Sequence, residues 1–564
     1  MGNAAVGKPY KLELVISNFT AGIQSAQLSA SDYPQTVGSD QPLTLLEAQG
    51  DDPLPFSTQS ITIDGKIYDV SDLVWSCDQI TKTHALFSLQ LVNDSDHKQK
   101  LVQLIKTFDI DPTSYNVVVN LQIQNQTEKP IQASAIMLGP TNLMIEDVSD
   151  KRLDSRTFLC AGYRADSHYL DTSGFPEVYQ KKMLGANTPP TVLGDFTGSS
   201  PLLWIASSNR FFTAIMRPLP ANGPTVYDTL DDGKQIPQIH DLQIAQVQRV
   251  GPNAEAADPM GVCAVVVKSA DLSIAAGGTS SIPMSVYIGP KKRSMLAGSP
   301  DAPVGTDAYI YNLYDYLAVV QFNQGSPCGY LPFFQIVISG VALTILWLLD
   351  KLHYLVGGNY GIAIMVLVLA IRLLLHPLTR YGQVKMTTMQ RKMAQVQPEI
   401  SRIQKKYADN KTRQHQELTN IYKKYDINPA GSVLGCLPML LQMPIWIALY
   451  SGLSVDIDLR QAGFIPGWIS DLSNPDTLAT LQTPFSVPFF GYTFNGINYL
   501  PLNLLPLLLG LAFFFQMRYQ MSLAPTPTDP QQRQTQMITQ YMVLLFPIFL
   551  YNAPSGLNLY ICAS

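Results

Sequence analysis

Arg372 lies inside the run Met365–Arg380, "MVLVLAIRLLLHPLTR", which is otherwise apolar as far as His376. A guanidinium at the centre of a membrane helix costs about 2.5–3.5 kcal/mol on insertion scales. At helical spacing Arg372, His376 and Thr379 share one face. Further polar side chains sit in other apolar runs: Gln442, followed by Met443 and Pro444 in "LLQMPI", and Asn558 and Tyr560 in "PSGLNLY". Intramembrane polar residues generally face a bundle interior or a water-filled cavity. A plainer reading of Arg372 is snorkelling, because the six residues before Thr379 span only about 9 Å. The chemistry on offer is charge attraction and hydrogen bonding rather than bond making. No G-x-S-x-G, H-E-x-x-H, P-loop or C-x-x-C pattern occurs, and His84, His97, His168 and His240 are scattered. The six cysteines, Cys77, Cys160, Cys263, Cys328, Cys436 and Cys562, are too dispersed for a metal site. No catalytic residue, metal or cofactor is expected.

The elements around these residues divide in two. Residues 1–330 carry 22 Lys and Arg against 33 Asp and Glu, and residues 331–564 carry 16 against 10. A net of −11 followed by +6 suits a polar domain joined to a basic, apolar one. The first part reads as β structure. Residues Tyr115–Gln124 alternate Val117, Val119, Leu121 and Ile123 against mostly polar neighbours, the period of a half-buried strand. Asp64–Gly65 centres a hairpin over Ile61–Val70. "RFFTAIMRPL", "GVCAVVVKSADLSI" and "MSVYIGPKK" read as further strands, giving one large antiparallel β-sandwich over 8–290 within a domain spanning 1–293. Residues 294–330, rich in Gly, Pro, Ser and Tyr, form a connection.

The second part, 357–564, holds runs long enough for five spans: about 360–378, 430–453, 499–517, 537–551 and a truncated 555–564. Asn552, Pro554 and Gly556 fit a tight turn between the last two. Segment 331–356 either crosses or lies flat on the surface. Gln335, Ser339, Ala342 and Asp350 give it a rough polar stripe, interrupted by Leu346, and periodicity leaves both readings open. The loop Thr379–Asn428 carries eleven basic and four acidic residues, which favours the cytoplasmic side. The loop Asp456–Tyr499 has one Arg and four Asp, which suits the opposite side. Within 380–428, Met386, Met389, Met393, Val396, Ile400, Ile403 and Tyr407 follow a 3,4 spacing. Leu418, Ile421, Tyr422 and Tyr425 suggest the return arm of a helical hairpin, and Pro398 should kink or locally end its first helix. The hairpin is either a solvated arm packed on its own seam or a docking surface, with Lys405, Lys406 and Arg413 as its candidate contacts for RNA, anionic lipid or protein.

"IRLLLHPLT", the Met-rich basic hairpin with "VQPEI", "INPAGSVLGCLPMLLQMPIWIALYSGL" and "PSGLNLY" occur in an order and spacing that resembles the YidC family of membrane protein insertases. "WIASSNRFFTAIMRP" and "YIGPKKR" are similar to marks of the exported β domain in its Gram-negative-type members. The resemblance implies an α+β membrane protein: a periplasmic β-supersandwich akin to mutarotase-like domains, then a helical five-span insertase core with a cytoplasmic helical hairpin. It implies that 331–356 is an interfacial helix lying flat on the outer surface. It implies a hydrophilic groove open to the cytoplasm and to lipid, with Arg372 as its charge and His376, Thr379, Gln442, Met443, Pro444, Asn558 and Tyr560 along it. Expected partners are nascent membrane proteins as clients, membrane lipids, and the ribosome and a Sec-type translocon. The expected location is the bacterial inner membrane. The chain departs from the family at both ends: the opening "MGNAAVGKPYKL" carries no apolar export segment, the first anchoring span has no counterpart, and the last span is cut short. It reads as a fragment. Ile561 stands where many relatives have a second aromatic. A solute transporter or channel, and a membrane-anchored carbohydrate-active β-domain protein, are the competing readings; flux of a solute, against insertion of a small membrane protein, separates them.

Overall fold

A computed structural model describes residues 1–93, 99–141, 143–144, 157–162, 178–179, 183, 187–196, 201–221, 226–229, 235–239, 241–250, 262–296, 332–407, 410–425, 431–488, 490–494, 497–523, 534, 545 and 547–564. The chain forms two compact units, Met1–Gln321 and Phe322–Ser564.

The first unit is an antiparallel β-sandwich. One sheet has nine strands, in the spatial order Val178–Tyr179, Thr157–Gly162, Leu202–Ser208, Phe212–Pro218, Thr279–Pro290, Asn116–Asn125, Lys100–Ile110, His84–Val92 and Ser76–Ile80. The second runs Thr191–Asp195, Leu242–Val250, Val262–Ser269, Ile131–Thr141, Thr58–Ile63 and Lys66–Asp69, with Leu272–Ile274 paired onto Ile131–Thr141. Strand Ile131–Thr141 meets Leu202–Ser208 and Phe212–Pro218 of the other sheet across the core. Alternation places the core: Val117, Val119, Leu121 and Ile123 are fully buried while Val118 is exposed. The Thr58–Asp69 hairpin turns on Asp64 (φ 48°) and Gly65 (φ 81°). Two successive positive φ values are what a type I′ turn demands, and Asp-Gly tolerates them. The stretch 262–274 forms two strands rather than one, Val262–Ser269 and Leu272–Ile274.

Lys106 is the exception in this core. It occupies an inward position between Leu104 and Phe108 and has no exposed surface. Its Nζ donates to the Phe56 carbonyl (2.5 Å) and to Thr58 Oγ1 (3.2 Å). Burial pushes its ammonium down to about 7.

The second unit contains helices α1 (Pro332–Leu355), α2 (Tyr360–Lys406), α3 (Lys411–Lys424), α4 (Gly431–Val455), α5 (Leu504–Leu523) and α6 (Ser555–Ala563). A three-stranded sheet orders Thr477–Thr483, Ile497–Asn503 and Tyr492–Phe494. Helices α1 and α4 pack together, both touch α2, and α6 touches α2, α4 and α5. In α1 the buried positions Ile338, Ala342, Ile345 and Leu349 recur at three and four residues, whereas Trp347, Tyr354 and Leu355 are exposed. Ala342 therefore belongs to the packed side and not to the polar stripe expected from the sequence. A small side chain there lets two helices approach, a requirement that polarity alone does not reveal.

Two further expectations are revised. The stretch anticipated as a span at 499–517 begins as strand, and its helix starts only at Leu504. Backbone pairing of Ile497–Asn503 on both sides outcompetes helix there. Of the kink or local end expected at Pro398, the end does not occur: helix α2 continues to Lys406. Its C-terminal arm is held by Val396 and Ile400, which bury against Ile421 of α3, with Ile403, Leu418 and Tyr422 around them. Most of 537–551 lies outside the described residues. Among the described residues, Tyr360–Gly382 is a helix long and apolar enough to cross a membrane, and Leu504–Tyr519 is a shorter apolar helix.

Candidate functional site

At 47 residues α2 is about 70 Å long, more than twice the ~30 Å of a hydrocarbon core. Its first half suits a membrane and its second half must leave it. Asn359 starts it, accepting a hydrogen bond from the Ile362 amide at 3.1 Å. Thirteen residues on, Arg372 is exposed, as are Leu369, Leu373, Leu374 and His376. The Thr379 hydroxyl donates back to the carbonyls of Leu375 (3.1 Å) and His376 (3.0 Å). Its hydroxyl is thus turned onto its own helix; the amide that Pro377 lacks is the one that would have served the Leu373 carbonyl.

Helices α4 and α6, which carry the other polar groups, both pack against α2. Tyr560 is fully buried, with Gln442 of α4 near its hydroxyl. Gln442 and Tyr560 are neighbours rather than bonded partners: among the described residues neither Gln442 Nε2 nor Tyr560 Oη has a partner of hydrogen-bonding geometry. Asn558, also fully buried, donates from Nδ2 to the carbonyls of Leu550 (3.2 Å) and Ala553 (3.4 Å). Its Oδ1 has no partner among the described residues. Buried polar atoms are almost always satisfied, and among the described residues Gln442 Nε2, Asn558 Oδ1 and Tyr560 Oη are three that are not. Met443 is exposed and Pro444 half-buried, beside this cluster in sequence but not shown in contact with it.

Sequence reasoning missed the segment that ties the other end of these helices together. Asp476, 2% exposed, accepts from the Leu505 amide (2.6 Å) in the first turn of α5 and from Trp468 Nε1 (3.1 Å). Burial pushes its carboxyl above the usual carboxylate range, against the opposing pull of those bonds. A few residues earlier the chain serves α6: the Ser555 amide donates to Asn474 O (2.8 Å), the Gly556 amide to Leu472 O (2.9 Å) and Ser555 Oγ to Asp471 O (2.8 Å). A Cβ on Gly556 would stand 3.0 Å from the Leu472 carbonyl oxygen, and one on Gly361 would stand 2.1 Å from the Phe464 ring. The loop 456–476 is thus stitched closely over the N-terminal ends of three helices. The only signal for it in the sequence was the Gly of "PSGLNLY".

The hairpin arms carry the other candidate residues. Lys406 ends α2 with its ammonium 5.3 Å from the Tyr407 ring, and exposed Arg413 lies in the first turn of α3. Lys405 is in the last turn of α2. The first turn of α3 has no acidic residue. Positive charge at a helix N-terminus opposes the helix dipole by about 0.3–1 kcal/mol per charge. The side chain of Asn410 caps this helix instead, accepting from the Arg413 amide at 3.1 Å. Beside the seam an open cleft is lined by Glu399, Arg402, Glu417 and Lys424, so charge there is mixed. Among the described residues no cluster of side chains could hold a metal ion.

Residues 9–316 match the YidC periplasmic domain family, and residues 351–564 match the 60Kd inner membrane protein family. The chain belongs to the YidC family. It is an inner membrane protein with a periplasmic N-terminal domain, and the family is one of insertases, not enzymes. The membrane protein insertase YidC of Beijerinckia indica is 26% identical over 550 residues, covering 96% of this chain and 77% of that protein. Its namesake in Francisella philomiragia is 27% identical over 550 residues, covering 97% and 79%. That of Oleidesulfovibrio alaskensis is 32% identical over 307 residues, 53% of this chain and 45% of its own length. A galactose mutarotase related enzyme from Lactobacillus acidophilus overlays 51% of this chain and 96% of its own, at 10% identity and a TM-score of 0.28, a score that carries no argument.

Proposed function

We propose that this YidC family member inserts client proteins into the bilayer by drawing the client's polar flank into a groove around Arg372 and releasing its apolar segment sideways into lipid. A client segment gains free energy on entering lipid, but its flanking tail must cross an apolar barrier. Polar groups partway across shorten that path. A carboxylate of the tail at 4 Å from Arg372 gains at most about 4 kcal/mol at an effective dielectric of 20. The observation that carries this reading is Arg372 set in an apolar helix that packs against α4 and α6, which carry the Gln442 amide and the buried Tyr560 hydroxyl, neither with a partner among the described residues. Intramembrane charges of this kind mark substrate paths.

In this reading five spans surround the groove, formed by the first half of α2, α4, α5, the 537–551 segment and α6. The apolar segment leaves between α4 and the 537–551 segment. Helix α1 lies along the periplasmic interface, the 456–476 loop closes the periplasmic end, and the hairpin arm extends into the cytoplasm. Its basic tip, Lys405, Lys406 and Arg413, receives the client or its carriers, the ribosome and a Sec-type channel among them. The unfavourable charge at the start of α3 fits a tip kept for docking rather than for helix stability.

A photoreactive residue at Met443 tests the reading. It should crosslink to the transmembrane segment of a nascent client stalled during insertion, and an equivalent residue at exposed Ile67 on the β domain should not. Absence of crosslinks at Met443 while the client inserts normally would overturn it.

A further inference from the structure

From Thr477 to Met517 the chain contains no Asp, Glu, Lys, Arg or His. Only the later part of this run is the apolar helix α5. The earlier part is the three-stranded sheet, and its strand Ile497–Asn503 passes into α5 at Leu504 with no residue between. Pairing sorts its side chains. Ala479 opposes Leu502 and Leu481 opposes Leu500, so these four share one face; Thr480 opposes Pro501 and Gln482 opposes Tyr499 on the other. On the second face Pro501 is buried and Tyr499 half-buried, while Thr480 and Gln482 are exposed. The Tyr551 hydroxyl donates to the Pro501 carbonyl (2.8 Å), Phe490 meets the Tyr551 ring edge-on, and Tyr492 stacks on Tyr499. On the first face Leu481 is 55% and Leu502 43% exposed and Leu500 is half-buried; Phe485, four residues after Leu481, is 65% exposed. Sheets that face water protect their edges with charge, above all lysine, and this one has none.

We propose that the Ala479–Leu481–Leu500–Leu502 face lies on the bilayer, seated in the headgroup layer against the upper acyl chains. This rests on reading α5 as a span. Continuity decides the occupant. Leu507, Leu508, Leu511 and Phe515 form an exposed apolar strip along α5, and exposed Leu502 of the sheet face precedes that helix by two residues in the chain. A surface with apolar residues, aromatic flanks and no charge matches the membrane interface. Because Thr477 follows Asp476 directly, the seated sheet holds the stitched loop against the membrane.

The test uses the full chain in liposomes, with its six native cysteines replaced by Ser. An environment-sensitive fluorophore is placed at Leu481→Cys, Gln482→Cys or Leu511→Cys. Lipids brominated near the headgroup end of the acyl chain should quench the probes at 481 and 511, while that at 482 should be quenched by aqueous iodide instead. If 511 is quenched by lipid but 481 only by iodide, the sheet stands in water and the proposal falls while the span stands. If 511 is not quenched by lipid, the span reading falls and takes the proposal with it. If 481 is shielded from both quenchers, protein covers the face; loss of that shielding on dilution with lipid would identify a second copy, and either result overturns the proposal.

Discussion

Replacing Asp476 with alanine removes the shared acceptor of two donors, the Leu505 amide and Trp468 Nε1. The first is buried and loses this acceptor, while the second is partly buried and recovers some hydration. At about 1–3 kcal/mol for each orphaned donor, discounted for Trp468, the loss is about 2–4 kcal/mol. Asp476→Asn keeps an acceptor in place and removes the charge. The raised pKa means that burial outweighs the attraction of the helix end for the carboxylate. Asn should therefore cost much less than Ala. An acid whose folded-state pKa lies above its unfolded value penalises the folded state while ionised. That penalty is relieved as pH falls through the raised pKa, so wild type should gain stability from this group on the acid side and Asp476→Asn should not. Thermal unfolding of the purified protein in detergent, followed by the folded fraction at several pH values, reads both effects. Equal destabilisation by Asn and Ala, or none by Ala, would refute the reasoning.

Lys106 has the opposite sign: its folded-state pKa is pushed below the unfolded one, so stability rises as pH increases from about 7 towards the ordinary lysine range. Hydrogen exchange of strand Lys100–Ile110 in the whole protein should slow over that window, once corrected for intrinsic exchange, and Lys106→Met should abolish the trend. Ile400→Ala should loosen the hairpin by about 2–4 kcal/mol through the cavity against Val396 and Ile421, detected as faster proteolysis of α3. Reversal to Glu at Lys405, Lys406 and Arg413 together should leave that protection intact yet reduce client insertion; normal insertion would make the tip a solvated surface. In membrane vesicles, cysteines at Ile67 and Arg413 should label from opposite sides, and same-side labelling would mean that α1 crosses.

The β domain was readable where one face is buried, because alternation then records the core directly, as in Val117–Ile123. Its Asp64–Gly65 hairpin was readable because backbone conformation there restricts residue type. The Val396–Ile400–Ile421 seam followed from spacing for the same reason as the strands. The strand at Ile497–Asn503 was hidden because an uncharged sheet and a span look alike in hydropathy; the Asn495–Gly496 pair was the overlooked hairpin signal. Pro398 left a kink or a local end both open, because a local helix penalty of about 3 kcal/mol can be offset by packing against a second helix, as Val396 and Ile400 pack on Ile421. Arg372 stood out because it is costly where it is. Asp476 did not, since a single aspartate in a loop gains its meaning only from the two donors that folding brings to it.

The central claim is that Arg372 attracts the acidic flank of a client. Matched clients, one with an acidic and one with a neutral translocated tail, should be presented to wild type, Arg372→Lys and Arg372→Ala in proteoliposomes, and the translocated fraction measured. Insertion of the acidic client should fall sharply with Ala and be largely kept with Lys, and the neutral client should change little. Equal loss for both clients would contradict charge attraction, and no loss with Ala for either would make Arg372 a membrane anchor.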